Sequence, residues 1–334
     1  MKKIIFTAAV ALFTVTAFSQ GFLKKIKDVK PVANVMEGKK PITTNFKDVN
    51  TSGTLPPEFG SDQTYKSLHS MPQNDRGEYI LGPGFYEVTN LSYCLKAGTN
   101  GPAKGDAYGL AYLEGKMDDV VEAIIVNSQK IWRESKKADS SKTVGQTLAS
   151  NAFRLTQKDV QLLLWAIIAK AHFEDMAHRT KAVAIKLLTP DQLLKLNGGA
   201  IKTVANLASE KGWLDKPEWM RKVEEAEQNL RQMYSKADAT YEDFERLAVL
   251  AGMATEPNPV EAGTWFKHED GFYVRFEPHG YPRTTTKVYV PEGKTAHFKA
   301  TTMVATPSDS RQRLAQTDMA VEEYERSPFG KMQF

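Results

Sequence analysis

The sequence predicts a mainly α protein of the α+β class: a helical bundle around one buried central helix, with a small antiparallel β element near the C-terminus. Three observations carry this expectation. From Gln157 to Phe173 the chain reads QKDVQLLLWAIIAKAHF, and after Asp159 apolar residues cover every side of a helix rather than one stripe. Such a helix is buried in a core or spans a membrane, and spanning takes about 20 apolar residues. This run is shorter and closes on Lys170, His172, Glu174 and Asp175, which favours a core. Second, amphipathic helical patterns flank it on both sides. Third, beyond Glu256-Pro257-Asn258-Pro259 the pattern changes to short β-type runs.

In chain order, residues 1–19 have the layout of a secretory signal. Lys2 and Lys3 precede an apolar stretch from Ile4 to Phe18. Ala17 and Ser19 then occupy the small-residue positions of a cleavage site, which places the mature start at Gln20. The stretch is short for a membrane anchor, and no later segment is apolar enough to span a bilayer as a helix. Residues 20–64 read as a flexible basic arm, rich in Lys, Pro, Thr and Asn and broken by TSGTLPPEFGSD. Its first part, GFLKKIKDVK, sets Phe22, Ile26 and Val29 against lysines on a short helix, so peripheral membrane contact of the arm is one expected property.

Residues 65–255 are expected to form the helical domain. Tyr79 to Val88 suggests a short extended segment with a tight turn at Gly82-Pro83-Gly84. Gly98 to Gly115 reads as a glycine-rich loop; it lacks the Gly-Lys-Ser/Thr ending of a phosphate-binding loop. Met117, Val120, Val121, Ile124, Ile125 and Ile131 recur at helical spacing and predict a helix over 116–136. A short apolar helix follows at 144–153. Thr156, with Asp159 three residues on, is a capping box for the central helix.

Thr189-Pro190-Asp191-Gln192 starts a further helix that Asn197-Gly198-Gly199 stops. Helices are expected over 200–211, from Pro217, and over 241–253 behind a second capping box of Thr240 and Asp243. Residues 256–334 hold four extended runs, TWFKH, FYVRFE, TTTKVYV and AHFKATTMV, with Asp270-Gly271 as a hairpin turn. Ser308-Asp309-Ser310 is then read as the cap of a last helix through Arg326, followed by a tail. This part is expected to pack on the helical domain.

An apolar fraction of 41% and a charged fraction of 25% are those of a soluble globular chain. The net charge of +4 falls to +2 once Lys2 and Lys3 leave with the signal. Seven lysines against three acids between Gln20 and Asn50 leave the rest slightly acidic. Nucleic-acid binding needs a basic face on the folded part, so no nucleic-acid partner is expected. Cys94 is the only cysteine, which excludes an internal disulfide and a cysteine-ligated zinc; it reads as a small buried apolar residue.

There is no nucleophile elbow, HExxH, calcium loop or dinucleotide fingerprint, and neither a cofactor nor a metal is expected. Three weaker constellations remain. In HFEDMAH, Glu174 and His178 are i, i+4 neighbours on a helix, and His172 and Asp175 are i, i+3 neighbours; the ordinary reading is salt-bridged helix surface. In the second, His268, Glu269 and Asp270 stand near Glu277 and His279 across a hairpin, or form an exposed turn. The third is a ligand-facing cleft, with Asp106, Tyr108 and Tyr112 on the glycine-rich loop and Trp213 and Trp265 as aromatic surfaces, although aromatic residues more often fill cores.

The first functional expectation is an exported bacterial envelope protein, periplasmic or extracellular. It is non-catalytic and binds an envelope protein or glycan partner. A hydrolase acting on envelope or extracellular polymers, using carboxylates such as Asp106, Glu174 and Glu277, is the alternative. A structural component of an envelope complex, docked through the basic arm, is a third reading.

Overall fold

Gly84–Cys94 is an 11-residue strand, β3, and the sheet grows outward from it. The computed structural model describes residues 41–42, 46, 49–103, 105–139, 154–198, 218–236, 238–250, 260–307 and 311–330. The expected signal segment, most of the arm, the short helices over 144–153 and 200–211, and Trp213 lie outside them.

Before β3 come β1 (Lys66–Ser67) and β2 (Tyr79–Leu81); after it come β4 (Thr99–Asn100) and β5 (Tyr108–Tyr112). The helices follow: α1 (Asp118–Asp139), α2 (Gln157–Ile168), α3 (His178–Leu187), α4 (Pro190–Gly198), α5 (Glu218–Met233) and α6 (Tyr241–Ala248). The chain then adds β6 (Val249–Leu250), β7 (Phe266–Lys267), β8 (Tyr273–Pro278), β9 (Arg283–Val290), β10 (Ala296–Phe298), β11 (Met303–Pro307) and β12 (Leu314–Ala320). It closes on α7 (Val321–Glu325).

The main sheet has eight strands, in the order β5-β11-β12-β3-β9-β8-β7, with β1 beside β3. Only the β1–β3 pairing is parallel. Its two edges approach each other, β5 lying alongside β7 and β8, with the Tyr112 ring 5.6 Å from that of His268. The sheet is therefore a nearly closed barrel. Phe46 and Val49 press on β5 where Gly109 leaves no room for a Cβ, and Phe46 meets Phe266 of β7 edge-on at 6.4 Å.

This architecture corrects the expected helical bundle. The β structure is not a small C-terminal element, because β1 to β5 come from residues 66–112, inside the stretch read as a helical domain. The glycine-rich loop contains β5, and of the expected last helix residues 314–320 are strand β12, with only Val321–Glu325 helical. Sheet pairing overrode local propensity at these sites. Residues 49–64, assigned by sequence to the arm, lie against the sheet. Leu55 bridges Trp265, and Phe59 packs edge-on against the Trp265 ring at 6.3 Å.

Two faces of β3 explain the packing. On the inward face Val88, Asn90 and Ser92 stand with Thr284, Thr286 and Val288 of β9, Val274 and Phe276 of β8, and Gln316 of β12. All are buried. The polar members satisfy one another: Thr286 donates to Asn90 Oδ1 at 2.9 Å, Asn90 Nδ2 to Gln316 Oε1 at 3.0 Å, and Thr284 to Ser92 Oγ at 2.9 Å. A buried polar group left unpaired costs about 1–3 kcal/mol, so this ladder pins the strand register. On the outward face Leu91 and Tyr93 are covered, with α1, α2 and α7 lying against this half of the sheet. Phe85, Glu87 and Thr89 emerge from under that cover.

The central helix α2 is a core element, with residues 163–168 all buried. Both sides of the Thr156–Asp159 capping box are present, and Arg179 clasps the Asp159 carboxylate at 2.5 and 2.7 Å. The helix ends at Ile168 rather than running through Phe173, because Lys170 turns left-handed at φ 55° and Ala171 N–H reaches back to the Ala166 carbonyl. The second capping box, Thr240 with Asp243, also forms, but its helix stops at Ala248 and the chain passes into β6. Among the described residues no helix is long and apolar enough to cross a membrane.

Candidate functional site

β3 changes neighbours partway along its length. On one flank Tyr86 and Glu87 pair with β1, whereas Asn90 to Cys94 pair with β12. Val88 and Thr89 lie between these two partners. Here the sheet has a notch, and over it opens a groove of about 1020 Å³. The outward faces of β3, β9 and β8 form its floor, with Glu87, Thr89, Thr285, Lys287 and Glu277. One wall is β1 and the 3-10 turn after it, bearing His69; the other is α7 with Arg133 from α1.

The strand pairing dictates the floor. Glu87 faces Lys287 across β3 and β9, and Lys287 faces Arg275 on β8; the next outward row is Thr89, Thr285 and Glu277. Arg275 and Lys287 both donate to Glu277 Oε1, at 2.7 and 3.1 Å. Lys287 also lies over the Tyr65 ring at 5.1 Å. His279 Nε2 meets Thr285 Oγ1 at 2.8 Å, which in turn meets Thr89 Oγ1 at 2.9 Å. A chain of exchangeable hydrogen bonds therefore runs from the β8–β9 turn across β9 to β3.

The walls are equally fixed. Leu68, fully buried, anchors the turn that carries His69, and Tyr79 Oη lies 2.8 Å from His69 Nδ1. Burial lowers the His69 pKa, an effect that neighbouring Glu323 partly opposes. Burial likewise raises the Tyr79 hydroxyl pKa. Arg133 forks onto Glu323 at 3.0 and 3.3 Å and donates to the Asp318 carbonyl at 2.8 Å. Arg326 pairs with Glu322 at 2.8 Å.

The residues nominated from sequence fall elsewhere. Asp106 is buried in an ion pair with Arg311 at 3.0 Å, which ties the glycine-rich segment to the start of β12. Tyr108 is buried on β5. Tyr112 sits at the barrel seam, its hydroxyl pKa pushed up to about 12 by burial and by nearby Glu269. Trp265 is fully buried, donates to the Phe59 carbonyl at 3.0 Å and carries Arg275 over its ring at 5.9 Å. None of these lines the groove.

In HFEDMAH, Phe173–Asp175 is a 3-10 turn and α3 begins only at His178, so the helical pairs expected there do not form on one helix. His268 receives the Asp270 backbone N–H within its own turn, with its pKa lowered by burial. Glu277 and His279 of the second constellation do line the groove. His69, Glu87 and Arg133 were missed. The outward alternation Phe85, Glu87, Thr89 in GFYEVTN was the available signal for Glu87.

Among the described residues no group of three or more His, Cys, Asp or Glu side chains could hold a metal ion. Comparison with protein families, curated proteins and solved structures finds no match for this chain.

Proposed function

We propose that the chain is an exported, non-catalytic binding protein and that the groove over Val88 and Thr89 takes a glycan. The observation that carries this reading is the groove's chemistry. Its floor and walls are hydrogen-bonding side chains whose charges cancel largely in pairs, with Tyr65 and Tyr79 at its sides. Polyhydroxylated ligands are recognised by planar polar side chains and by aromatic faces that accept their C–H surfaces. A polyanion would meet Glu87, Glu277, Glu322 and Glu323, which disfavours nucleic acid. Export is inferred from residues 1–19 alone.

The test is a panel of envelope and extracellular glycans presented to the purified chain, followed by calorimetry on each hit with Thr89→Trp. Thr89 is exposed at the centre of the floor, so an indole there fills the groove without disturbing the core. Binding that the variant abolishes supports the reading; binding the variant leaves intact, or no binding across the panel, removes it.

One observation favours hydrolysis as a second reading, namely that Glu87 and Glu277 share the floor. Glycosidases use two carboxylates on either side of the scissile bond. Cleavage of a bound glycan that is lost in both Glu87→Gln and Glu277→Gln would replace the non-catalytic reading.

A further inference from the structure

The charges in the groove balance except at one residue. Of the four carboxylates that line it, Glu323 is held by Arg133, Glu322 by Arg326, and Glu277 by Lys287 together with Arg275. Among the described residues the Glu87 carboxylate has no hydrogen bond and no ion pair. The two lysines nearest to it in the sheet are turned away. Lys287, directly opposite in register, gives its ammonium to Glu277 and lies over Tyr65. Lys66, one residue before Glu87's partner on β1, lies over the Tyr86 ring at 5.7 Å. The Tyr65 hydroxyl is spent on the Gly60 carbonyl at 3.2 Å. Glu87 is nevertheless half-buried in the groove floor.

A carboxylate held in a groove, with every surrounding cation committed elsewhere, is an acceptor for a positive group brought by the ligand. Resting on the glycan reading above, we propose that the groove selects sugars carrying a free ammonium and that Glu87 is the residue that binds it. An N-acetylated sugar offers the same ring and hydroxyls but a neutral amide, which cannot compensate the charge on Glu87. The specificity is therefore for the amine rather than for the ring.

The experiment compares glucosamine oligomers with their fully N-acetylated counterparts, at a pH where the amine is protonated, by calorimetry on the full chain and on Glu87→Gln. Glu87 is unbonded and faces the groove, so the glutamine variant should fold; an unchanged melting temperature checks this. A charge-assisted hydrogen bond contributes about 1.5–3 kcal/mol, so the amino oligomer is expected to bind roughly 10- to 100-fold more tightly. Glu87→Gln should bring the two affinities together, and added salt should erode the preference in the parent chain. The proposal is overturned if the acetylated oligomer binds equally well or better, if Glu87→Gln keeps the preference, or if neither oligomer binds. A neutral glycan that binds in the groove without any amine preference would overturn this inference alone and leave the glycan reading standing.

Discussion

Gln161 of α2 holds both main-chain groups of Cys94: its side-chain oxygen takes the Cys94 N–H at 2.8 Å and its amide nitrogen donates to the Cys94 carbonyl at 3.1 Å. A side chain of the central helix thus pairs with the last residue of β3 as a neighbouring strand would. Gln161 is 1% exposed, so water cannot replace it. Gln161→Leu keeps the volume but strands one buried donor and one buried acceptor. Each costs about 1–3 kcal/mol, and the variant should lose roughly 2–6 kcal/mol in urea denaturation. A loss below about 0.5 kcal/mol would mean that the helix is not fastened to the sheet in this way.

The Asp106–Arg311 pair gives a second prediction. Both side chains are nearly inaccessible, at 8% and 6% exposure, and Asp106 also accepts the Ala103 N–H. Removing one partner of a buried pair costs about 3–5 kcal/mol because a charge is left behind. Asp106→Ala should lose that much, and Asp106→Ala combined with Arg311→Met should recover part of it. Thermal denaturation of the two variants decides, and equal losses would argue against a desolvated pair.

Cys94 is fully buried, and burial together with nearby Glu245 raises its thiol pKa well above the ordinary range. Only the thiolate reacts, so a thiol reagent at pH 8 should leave the native chain unlabelled and react stoichiometrically in denaturant. Rapid native labelling would show that the end of β3 opens readily.

His69 makes stability depend on pH. Its pKa in the fold is lowered by burial, so the unfolded chain binds the proton more readily. Stability from the neutral ring is present above the unfolded value near 6.5 and declines as pH falls from there toward the lower folded value. Denaturation midpoints should fall between pH 7 and pH 5.5, and His69→Gln should fall less steeply. An imidazole resonance of His69 titrating above 6.5 would reverse the sign.

The helices were legible in the sequence where local chemistry decides them. The all-apolar face of α2, its capping box at Thr156 and Asp159, and the box at Thr240 and Asp243 need no tertiary partner to be read. The hairpin at Asp270-Gly271 was legible for the same reason: Gly271 has φ 86°, which the turn requires. The barrel was not. β3 beyond Thr89 is buried on both faces and carries Asn90 and Ser92 inward, so it lacks the period-2 contrast that marks a half-buried strand.

β12 reads LAQTDMA, in which Leu, Ala, Gln and Met favour helices, and it becomes a strand because β3 and β11 flank it. The groove was hidden more deeply. It arises from a change of partner along β3, with β1 on one stretch and β12 on the next. Residues as far apart as Ser67 and Ala320 meet there. Glu277 and His279 could be singled out because they sit on a recognisable hairpin; Arg133, in the middle of an amphipathic helix, could not.

Ligand is proposed to enter at the notch beside Val88 and Thr89. The most direct measurement is amide chemical-shift mapping by NMR during titration with a bound glycan. Val88, Thr89, Thr285 and Lys287 are expected to shift together at saturation while Asp106, Tyr112 and Trp265 stay still. Shifts gathered instead around Tyr112 and Trp265 would move the site to the barrel seam and contradict it.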